Sequence, residues 1–227
     1  MGAEWGWKEY FVVKRDRGLF KEFYFRNWFW FHPIRRWEYG FLKSMVSGKF
    51  LDAGCGNGAI TLALSARTLE TCAVDVSDVA IATAEKYNNP GEKIAYGIMD
   101  LKKLGFPDCS FDSVACVSVI GQCSGFKDEV VSELLRVTKP GGTVFVSALS
   151  RYVDALKVLD DGRFEVSRFY ALKGRVAREL FDFFMAYRDW RTLFSIVFFP
   201  LFWLDQLLIK GKGETCVLLI RKKGVVG

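Results

Sequence analysis

The residues best suited to ligand chemistry lie in a glycine-rich stretch, residues 50–58, which reads FLDAGCGNG. It begins with apolar residues typical of a buried strand, carries glycines at alternate positions and leads into a helical segment at residues 59–65. Glycines let the backbone turn sharply and approach a ligand closely, and the following helix presents free N–H groups. The stretch predicts a nucleotide-type binding corner, although a plain loop could contain the same glycines.

Two details of this stretch favour a ligand with a positive end over a dinucleotide. Gly54, Gly56 and Ala59 do fit the G-x-G-x-x-A pattern of dinucleotide sites. However, Asp52 directly precedes the turn, where it suits an ammonium group and would repel a pyrophosphate. Gly58 adds a third open position beside the expected ligand.

Carboxylates close two further predicted strands. Asp75 ends the apolar segment 71–75, about 20 residues beyond Gly54, which is the separation expected for an acid that binds ribose hydroxyls. The alternative is a helix cap, and we favour ribose binding for Asp75 and capping for Ser77. Asp100 lies near the end of the predicted strand 94–101, and on its own it would be interpreted as a surface aspartate.

Segments of strand and helix type alternate around these acids. Pro33 and Gly48 bound a predicted helix before the glycine-rich stretch. Further helices are predicted at residues 78–87, 130–137, 173–187 and 201–209, and further strands at 111–119, 143–147, 163–170, 192–199 and 214–221. Such alternation is typical of an α/β fold.

Composition sets broad limits on the class of protein. A chain of 227 residues with 51% hydrophobic residues suffices for one α/β domain, and its net charge of +6 favours anionic partners only mildly. The six cysteines form no C-x-x-C pair and there is one histidine, so we expect buried thiols and no metal site. Charges interrupt the first thirty residues, so a cytoplasmic protein without a signal peptide is expected.

Two apolar segments stand out. Residues 1–41 are unusually aromatic, which predicts packing faces and, in part, an aromatic lining for a hydrophobic or planar ligand. The run 193–204 is too short to span a bilayer and contains Pro200, which predicts a core strand followed by a buried helix. Peripheral membrane contact through residues 193–209 is the lesser alternative.

Residues 51–58 resemble the first motif of the class I S-adenosylmethionine-dependent methyltransferases, and residues 104–114 and 135–147 resemble later parts of the same family. The resemblance covers roughly residues 33–223. It implies a Rossmann-like, doubly wound, seven-stranded sheet, mostly parallel, with the last strand antiparallel between its neighbours. It also implies a single domain, 1–227, with an N-terminal helical cap (1–47), a cofactor-binding core (48–149) and a substrate-covering insert with closing strands (150–227).

The resemblance also implies roles for individual residues. Asp52 would neutralise the amino group of S-adenosylmethionine, Asp75 would bind its ribose, and Asp100 with Leu101 would hold its adenine. Asp75→Ala is expected to weaken binding of the methyl donor while leaving the fold intact. The full set of expected cofactor-binding residues is Asp52, Ala53, Gly54, Cys55, Gly56, Asn57, Gly58, Asp75, Val76, Asp100, Leu101, Val117 and Ser118.

The catalytic and acceptor-binding residues are less defined. Methyl transfer is an in-line displacement that depends mainly on positioning, so a general base is optional. The loop 120–124 should face the methyl group, and it lacks the Asn-Pro-Pro-Tyr and Pro-Cys patterns of base-modifying enzymes, which makes Cys123 a structural thiol. Candidate bases or acceptor-binding groups are His32, Gln122 and Tyr170, and further candidate pocket residues are Arg151, Tyr152 and Arg168.

The sequence therefore predicts an S-adenosylmethionine-dependent methyltransferase that acts on a small hydrophobic or aromatic acceptor. The aromatic N-terminal segment and the lack of appended domains support this prediction. An RNA or protein methyltransferase is the first alternative, but the basic residues are scattered, so we do not expect a nucleic-acid partner. A non-catalytic S-adenosylmethionine-binding protein is the second, and the oligomeric state stays open.

Overall fold

The computed structural model describes residues 33–223, apart from residues 90, 92, 124, 160, 161 and 187–190. His32 and the aromatic segment 1–32 lie outside the described residues, so the expectations placed on them stay predictions. Within the described part, seven strands and seven helices follow the predicted order, except that residues 192–199, predicted as a strand, are helical.

The helices are α1 (Pro33–Met45), α2 (Ala59–Ser65), α3 (Asp78–Asn88), α4 (Lys127–Val137), α5 (Ser150–Val153), α6 (Arg175–Ala186) and α7 (Arg191–Leu208). The strands are β1 (Lys49–Ala53), β2 (Glu70–Asp75), β3 (Ile94–Ile98), β4 (Phe111–Val117), β5 (Thr138–Leu149), β6 (Phe164–Ala171) and β7 (Thr215–Lys222). A single 3₁₀ turn, Ile120–Gln122, follows β4.

The strands form one sheet in the order β3-β2-β1-β4-β5-β7-β6. Pairing is parallel from β3 through β5, whereas β7 runs antiparallel to both β5 and β6. The doubly wound sheet with an antiparallel β7 between its neighbours confirms the predicted fold class. All the parallel strands, β6 included, end at one edge of the sheet, which we call the carboxyl edge.

Each face of the sheet carries its own hydrophobic core. One face packs against α4, the 3₁₀ turn and α5, with Ile120, Leu134 and Val153 buried there. The other face packs against α1, α2, α6 and α7, with Leu42, Leu64 and Phe202 fully or almost fully buried. Because β4 and β5 are covered on both faces, their residues form an almost continuous apolar run, as is typical of central parallel strands.

Several helix boundaries follow the local chemistry of the sequence. The hydroxyl of Ser77 accepts a hydrogen bond from the backbone N–H of Ala80, which confirms the predicted cap of α3. Gly48 adopts a φ of 60° after α1 and turns the chain into β1. The first turn of helix α4 contains Asp128 and Glu129, whose charges suit the positive end of the helix.

The strand predicted at residues 192–199 is wrong, because these residues belong to the 18-residue helix α7. The sixth strand is instead β6, Phe164–Ala171, which the sequence predicted as a short strand at 163–170. A short apolar run cannot distinguish a buried strand from a buried helix by periodicity. Phe198 and Phe202, one helical turn apart, are both buried in the second core, and the helix continues through Pro200.

The Pro-Gly-Gly segment also differs from the predicted tight turn before the fifth strand. It lies within β5, where Phe111 of β4 pairs with Thr138 and Ser113 pairs with Thr143. The extra residues on β5 form a bulge, and Gly141 takes a φ of 79° there. The bulge lets β5 leave α4 directly and still align with β4.

A buried carboxylate joins the two helices of the segment between β6 and β7. Asp205 of α7 is 5% exposed, and its Oδ2 accepts the N–H of Lys173 at 2.9 Å. Its Oδ1 accepts the N–H of Gly174 at 2.6 Å, just before α6 begins. These N–H groups belong to the chain entering α6, so the carboxylate fixes the end of β6 and the start of α6 against α7.

We expect Asp205→Ala to lower the free energy of unfolding by about 2–4 kcal/mol, because it leaves two buried N–H groups without an acceptor. Urea unfolding measures the loss. Glu179→Ala is the matched control, since Glu179 pairs with Arg175 in an exposed ion pair and should cost about 0.5 kcal/mol or less. Equal losses in the two variants would show that Asp205 does not hold these helices together.

Candidate functional site

The glycine turn after β1 lies at the carboxyl edge of the sheet. Gly54, Gly56 and Gly58 all adopt positive φ angles, of 82°, 55° and 74°. The N–H groups of Gly54 and Cys55 both donate to the carbonyl oxygen of Val74, at 2.7 and 3.0 Å. The turn therefore folds back over the end of β2, in a conformation that residues with a Cβ rarely adopt.

Asp75 connects this turn to the start of α3. Its Oδ2 accepts the N–H of Gly56 and its Oδ1 accepts the N–H of Ser77, both at 2.9 Å. Each carboxylate oxygen has a second lone pair, so the group retains acceptor capacity toward a ligand at the edge. Because Asp75→Ala removes both acceptors, we now expect it to disturb the turn as well as ligand binding, and not to leave the local fold unchanged.

Asp52 lies beneath the turn and is almost completely buried. It is 3% exposed, and its Oδ2 accepts a hydrogen bond from the hydroxyl of Thr61 at 2.5 Å. The pKa of Asp52 is raised to about 6, mainly by burial; the bond from Thr61 acts to lower this pKa, and the nearby charge of Asp75 acts to raise it. A nearby cation would stabilise a carboxylate in this position, because its charge would offset the free-energy cost of burying the carboxylate.

A buried amide on the turn lacks one of its partners. Asn57 is 8% exposed, and its Nδ2 has no hydrogen-bond partner in the described part of the chain. Its Oδ1 accepts from the N–H of Ala59, and its backbone oxygen accepts from Nδ2 of Asn88 at 2.7 Å. An unsatisfied buried N–H group is rare in folded proteins and indicates a place where a hydrogen-bond-accepting atom of a ligand fits.

Tyr96 closes the far side of the turn. Its hydroxyl donates to the backbone oxygen of Asn88 at 3.1 Å. A Cβ at Gly58 would overlap the Tyr96 hydroxyl and contact Ala84, so glycine is required here by space as well as by φ. Burial and the neighbouring Cys55 and Asp52 raise the pKa of Tyr96, which stays protonated and acts as a hydrogen-bond donor.

The carboxyl edge beside β2 and β3 combines carboxylates with exposed apolar side chains. Asp75 of β2 pairs with Ile98 of β3, and the backbone N–H of Met99 donates to the backbone carbonyl oxygen of Asp75. Ile98 and Val76 are 60% and 72% exposed. Asp100 is exposed and lies near Lys102, whereas Leu101 is buried in the core. The edge thus offers apolar surface and carboxylates with remaining acceptor capacity next to the glycine turn.

The segment 100–108 is held in place by Arg136 of α4. Its guanidinium donates to Glu133, to Asp108 and to the backbone oxygens of Leu104 and Phe106. These contacts raise the pKa of Arg136 and keep the segment after Asp100 against the sheet.

The loop after β4 approaches the glycine turn. Ser118, directly after Val117, adopts a φ of 59°, which is unusual for a residue with a side chain, and its N–H donates to the oxygen of Ser147. The next residue, Val119, occupies the space that a Cβ on Gly54 would fill. Gln122 is exposed, and its Nε2 donates to the oxygen of Ser118 at 3.3 Å.

The predicted acceptor-side residues fall into two groups. The ring of Tyr152 packs against Gly121, and the guanidinium of Arg151 lies 5.0 Å from the ring centroid, so both border the loop after β4. Tyr170 of β6 donates to Asp154 at 3.2 Å, and Arg168 is exposed two residues before it. Burial, Cys216 and Asp154 raise the pKa of Tyr170 to about 12, so its phenol is no base at neutral pH.

The sequence did not predict three residues that shape the site. Thr61 bonds Asp52 from the first turns of α2, Asn88 anchors the glycine turn from the end of α3, and Val119 fills the space above Gly54. Each contact joins residues that are distant in sequence, so no local pattern could have revealed it. All six cysteines are free thiols; four of them are buried as predicted, whereas Cys55 is half-buried and Cys109 is exposed.

Both the sequence and the fold of this chain are similar to those of known methyltransferases. A sequence model of the family described as a methyltransferase domain matches residues 51–146. The chain is also similar to the ubiquinone biosynthesis O-methyltransferase of Methylococcus capsulatus, with 32% identity over 126 residues that cover 55% of this chain and 53% of that protein. The chain spans about half the length of the curated relatives that it matches.

Solved structures show the same fold at low sequence identity. A chain of the Haloferax volcanii complex between the Trm112 methyltransferase activator and a methyltransferase has a TM-score of 0.63 and 16% identity, covering 98% of this chain and 100% of that one. The Haemonchus contortus phosphoethanolamine N-methyltransferase 2, solved with S-adenosylhomocysteine, has a TM-score of 0.56 and 18% identity, covering 83% of this chain and 52% of that one.

The strand order, the glycine turn after β1 and the carboxylates at the ends of β2 and β3 define a Rossmann-like methyltransferase fold. Residues 51–146 therefore form a methyltransferase domain, and the fold is that of the class I S-adenosylmethionine-dependent methyltransferases, as the motifs predict. S-adenosylmethionine is the cofactor of that class, and the residues of this chain fit it. They supply glycines without room for a Cβ, a buried carboxylate and an unsatisfied amide N–H.

The packing of Val119 on Gly54 gives a testable prediction. Gly54→Ala combines backbone strain with a side-chain overlap and should lower the free energy of unfolding by about 2–4 kcal/mol. Gly141 also has a positive φ but open space around it, so Gly141→Ala should cost only about 1–2 kcal/mol. Thermal and urea unfolding measure both losses.

The double variant Gly54→Ala/Val119→Ala should recover part of the loss, because it removes the overlapping methyl groups of Val119. No recovery, or equal losses for Gly54→Ala and Gly141→Ala, would show that Val119 does not restrict the turn.

Proposed function

We propose that this protein is an S-adenosylmethionine-dependent O-methyltransferase that acts on a small hydrophobic or aromatic acceptor. The observation that carries the proposal is the juxtaposition of the glycine turn with the carboxylates of Asp52 and Asp75 at the carboxyl edge of the sheet. The similarity to ubiquinone biosynthesis O-methyltransferases, confined to about half of each chain, supports an oxygen acceptor.

The cofactor assignments follow the geometry of the turn. The ammonium of the methyl donor would offset the buried charge of Asp52, and its carboxylate would accept the free N–H of Asn57. The methionine chain would lie over the glycines, where Ala53, Cys55, Val117 and Ser118 form the remaining surface. The ribose hydroxyls would donate to Asp75, and the adenine would lie against Val76 and Ile98 near Asp100 and Leu101.

Bound S-adenosylmethionine supplies an electrophilic methyl group on a sulfonium that is ready to leave. The chain's task is then to align the acceptor oxygen with that methyl group and to exclude water, which can account for roughly 7–11 kcal/mol of the barrier. The loop with Ser118 and Gln122 lies beside the turn and is the part of the described chain best placed to orient the acceptor.

A strong general base is absent from the described part of the site. Tyr170 stays protonated at neutral pH, and the amide of Gln122 does not titrate, so each would orient an acceptor by hydrogen bonding. An acceptor hydroxyl that is itself acidic, such as a phenol, requires the least help from a base. His32, which lies outside the described residues, stays a predicted candidate for the base.

The acceptor is tested by incubating the protein with methyl-labelled S-adenosylmethionine and a cell extract, then partitioning the label. We expect the label in the organic phase, in a product whose methyl group is lost under ether-cleaving but not under amide-cleaving conditions. Asp75→Ala is the control that should not transfer label, because it lacks the ribose acceptor and the anchor of the turn.

Label in nuclease- or protease-sensitive material would replace this proposal with an RNA or protein methyltransferase. Binding of S-adenosylmethionine without transfer to any fraction would favour a non-catalytic binding protein. Both outcomes contradict the small-molecule assignment, and they are distinguished by the fraction that carries the label.

Asp52 gives a pH-dependent prediction for binding of the methyl donor. Its pKa is raised to about 6, so the carboxylate is ionised at pH 7.5 and becomes protonated as the pH falls below 6. Since only the ionised form attracts the ammonium, affinity should be nearly constant above pH 7 and fall by up to about tenfold per pH unit below pH 6. Calorimetric titration with S-adenosylhomocysteine, which has the same ammonium, measures this profile.

Two variants test the assignment to Asp52. Asp52→Asn should bind more weakly at pH 7.5 and show a flat profile between pH 5.5 and 7.5. Thr61→Val removes the hydrogen bond that lowers the pKa of Asp52, so the fall in affinity should move to higher pH. A wild-type profile without a fall near pH 6 would exclude Asp52 as the partner of the ammonium.

A further inference from the structure

The last two turns of α7 expose large apolar side chains to solvent. Leu207 and Leu208 are 77% and 74% exposed, and Trp203, Leu204 and Ile209 are each more than a third exposed. We call these five residues the α7 patch. The sequence predicted a buried helix here, and burial applies only to one side of it. Contiguous exposed apolar side chains of this size are uncommon on a folded domain and mark an interaction surface.

Helix α7 is apolar on two opposite sides. Phe198, Phe202 and Asp205 are buried against the sheet and the start of α6. At about 100° per residue, the exposed residues 203, 204, 207 and 208 form a stripe about 140° wide, centred roughly opposite the buried side. A core helix needs one apolar side, so packing within the described fold does not account for the second.

The α7 patch lies at the carboxyl edge of the sheet, as does the glycine turn. α7 ends shortly before β7, whose first residue, Thr215, pairs with Leu149 at the end of β5. The N–H of Ser150, after β5, donates to the oxygen of Glu214. Lys212 contacts Asp154, which also accepts from the hydroxyl of Tyr170. The chain that directly follows the patch therefore runs beside Asp154 and Tyr170, and Tyr170 is one of the predicted acceptor-side residues.

Basic residues surround the α7 patch. Lys210 and Lys212 follow it directly, and Lys173, Arg175 and Arg178 lie at the start of α6, where Val176 is also 66% exposed. Residues 173–179 and 203–214 together contain five Lys or Arg against three Asp or Glu, a net charge of +2, and Asp205 among the acids is buried. Arg175, Arg178 and Lys212 form exposed ion pairs with Glu179, Glu214 and Asp154. Apolar side chains with a tryptophan, bordered by basic groups, are typical of surfaces that enter the interface of an anionic membrane.

We propose that the α7 patch docks this protein on the surface of an anionic phospholipid bilayer, with the carboxyl edge of the sheet facing the lipid. The helix lies on the membrane and does not cross it, since no helix within the described ranges is long and apolar enough to do so. The link to catalysis rests on the proposed function, because a hydrophobic acceptor dissolved in the bilayer would enter the site from this edge. The docking itself does not depend on turnover.

The test is co-sedimentation of the full chain with vesicles of phosphatidylglycerol and phosphatidylcholine, and with vesicles of phosphatidylcholine alone. We expect binding at least fivefold stronger to the anionic vesicles, reduced but not abolished by 0.5 M salt, because apolar insertion persists when charges are screened. Trp203 fluorescence should shift to the blue on binding, since its indole enters a less polar environment; Trp203→Phe identifies its signal among the seven tryptophans.

Leu207→Ser/Leu208→Ser should weaken vesicle binding at least tenfold without changing S-adenosylhomocysteine binding or the melting temperature, because both side chains are exposed. Leu69→Ser is the matched control: Leu69 is 93% exposed but precedes β2, at the opposite edge of the sheet. This control should bind vesicles as the wild type does.

Absence of vesicle binding, or equal binding by the two variants, would overturn the proposal. A dimer that dissociates in Leu207→Ser/Leu208→Ser, with no vesicle binding by the wild type, would assign the patch to a second copy of this chain instead. Vesicle binding without methyl transfer would leave the docking intact and contradict only the proposed function.

Discussion

The carboxylate of Asp75 is the contact on which the site depends most. It accepts one N–H from the glycine turn after β1 and one from the turn after β2, at the same distance. Two loops that leave neighbouring strands are thereby held in one arrangement, and the positive φ angles of the turn strongly favour glycine. The ribose-binding role that we propose for Asp75 would use acceptor capacity left over from this structural role, so binding and local order are not separable there.

The rest of the turn leaves polar groups buried beside an opening. Asp52 is buried with one hydrogen bond, and the Nδ2 of Asn57 has none within the described residues. Such groups cost stability in an isolated fold, because water has been removed and not replaced. A cofactor that carries both an ammonium and a carboxylate would compensate each of them, which explains why these polar side chains lie beneath the turn and not on the surface.

The sequence predicted the cofactor half of the fold well, because its information there is local. The glycine turn, the acid that ends β2 and the cap at Ser77 lie within short segments whose chemistry determines their conformation. The long-range contacts of Thr61 and Asn88 could not be predicted, since they depend on helices packing side by side. The first half of the helix at 191–208 was missed for a related reason: a run of apolar residues indicates burial but not period, and the wide apolar surface of α7 masks its helical spacing.

The position of β7 in the sheet has a consequence for biosynthesis. β7 is the last of the seven strands to leave the ribosome, yet it lies between β5 and β6 and supplies hydrogen bonds to both. Until it emerges, β6 has no partner in the sheet and the edge of β5 stays open. The nascent chain can therefore assemble β1 to β5 around the cofactor turn early, but it must shield an unpaired strand edge until β7 has left the ribosome.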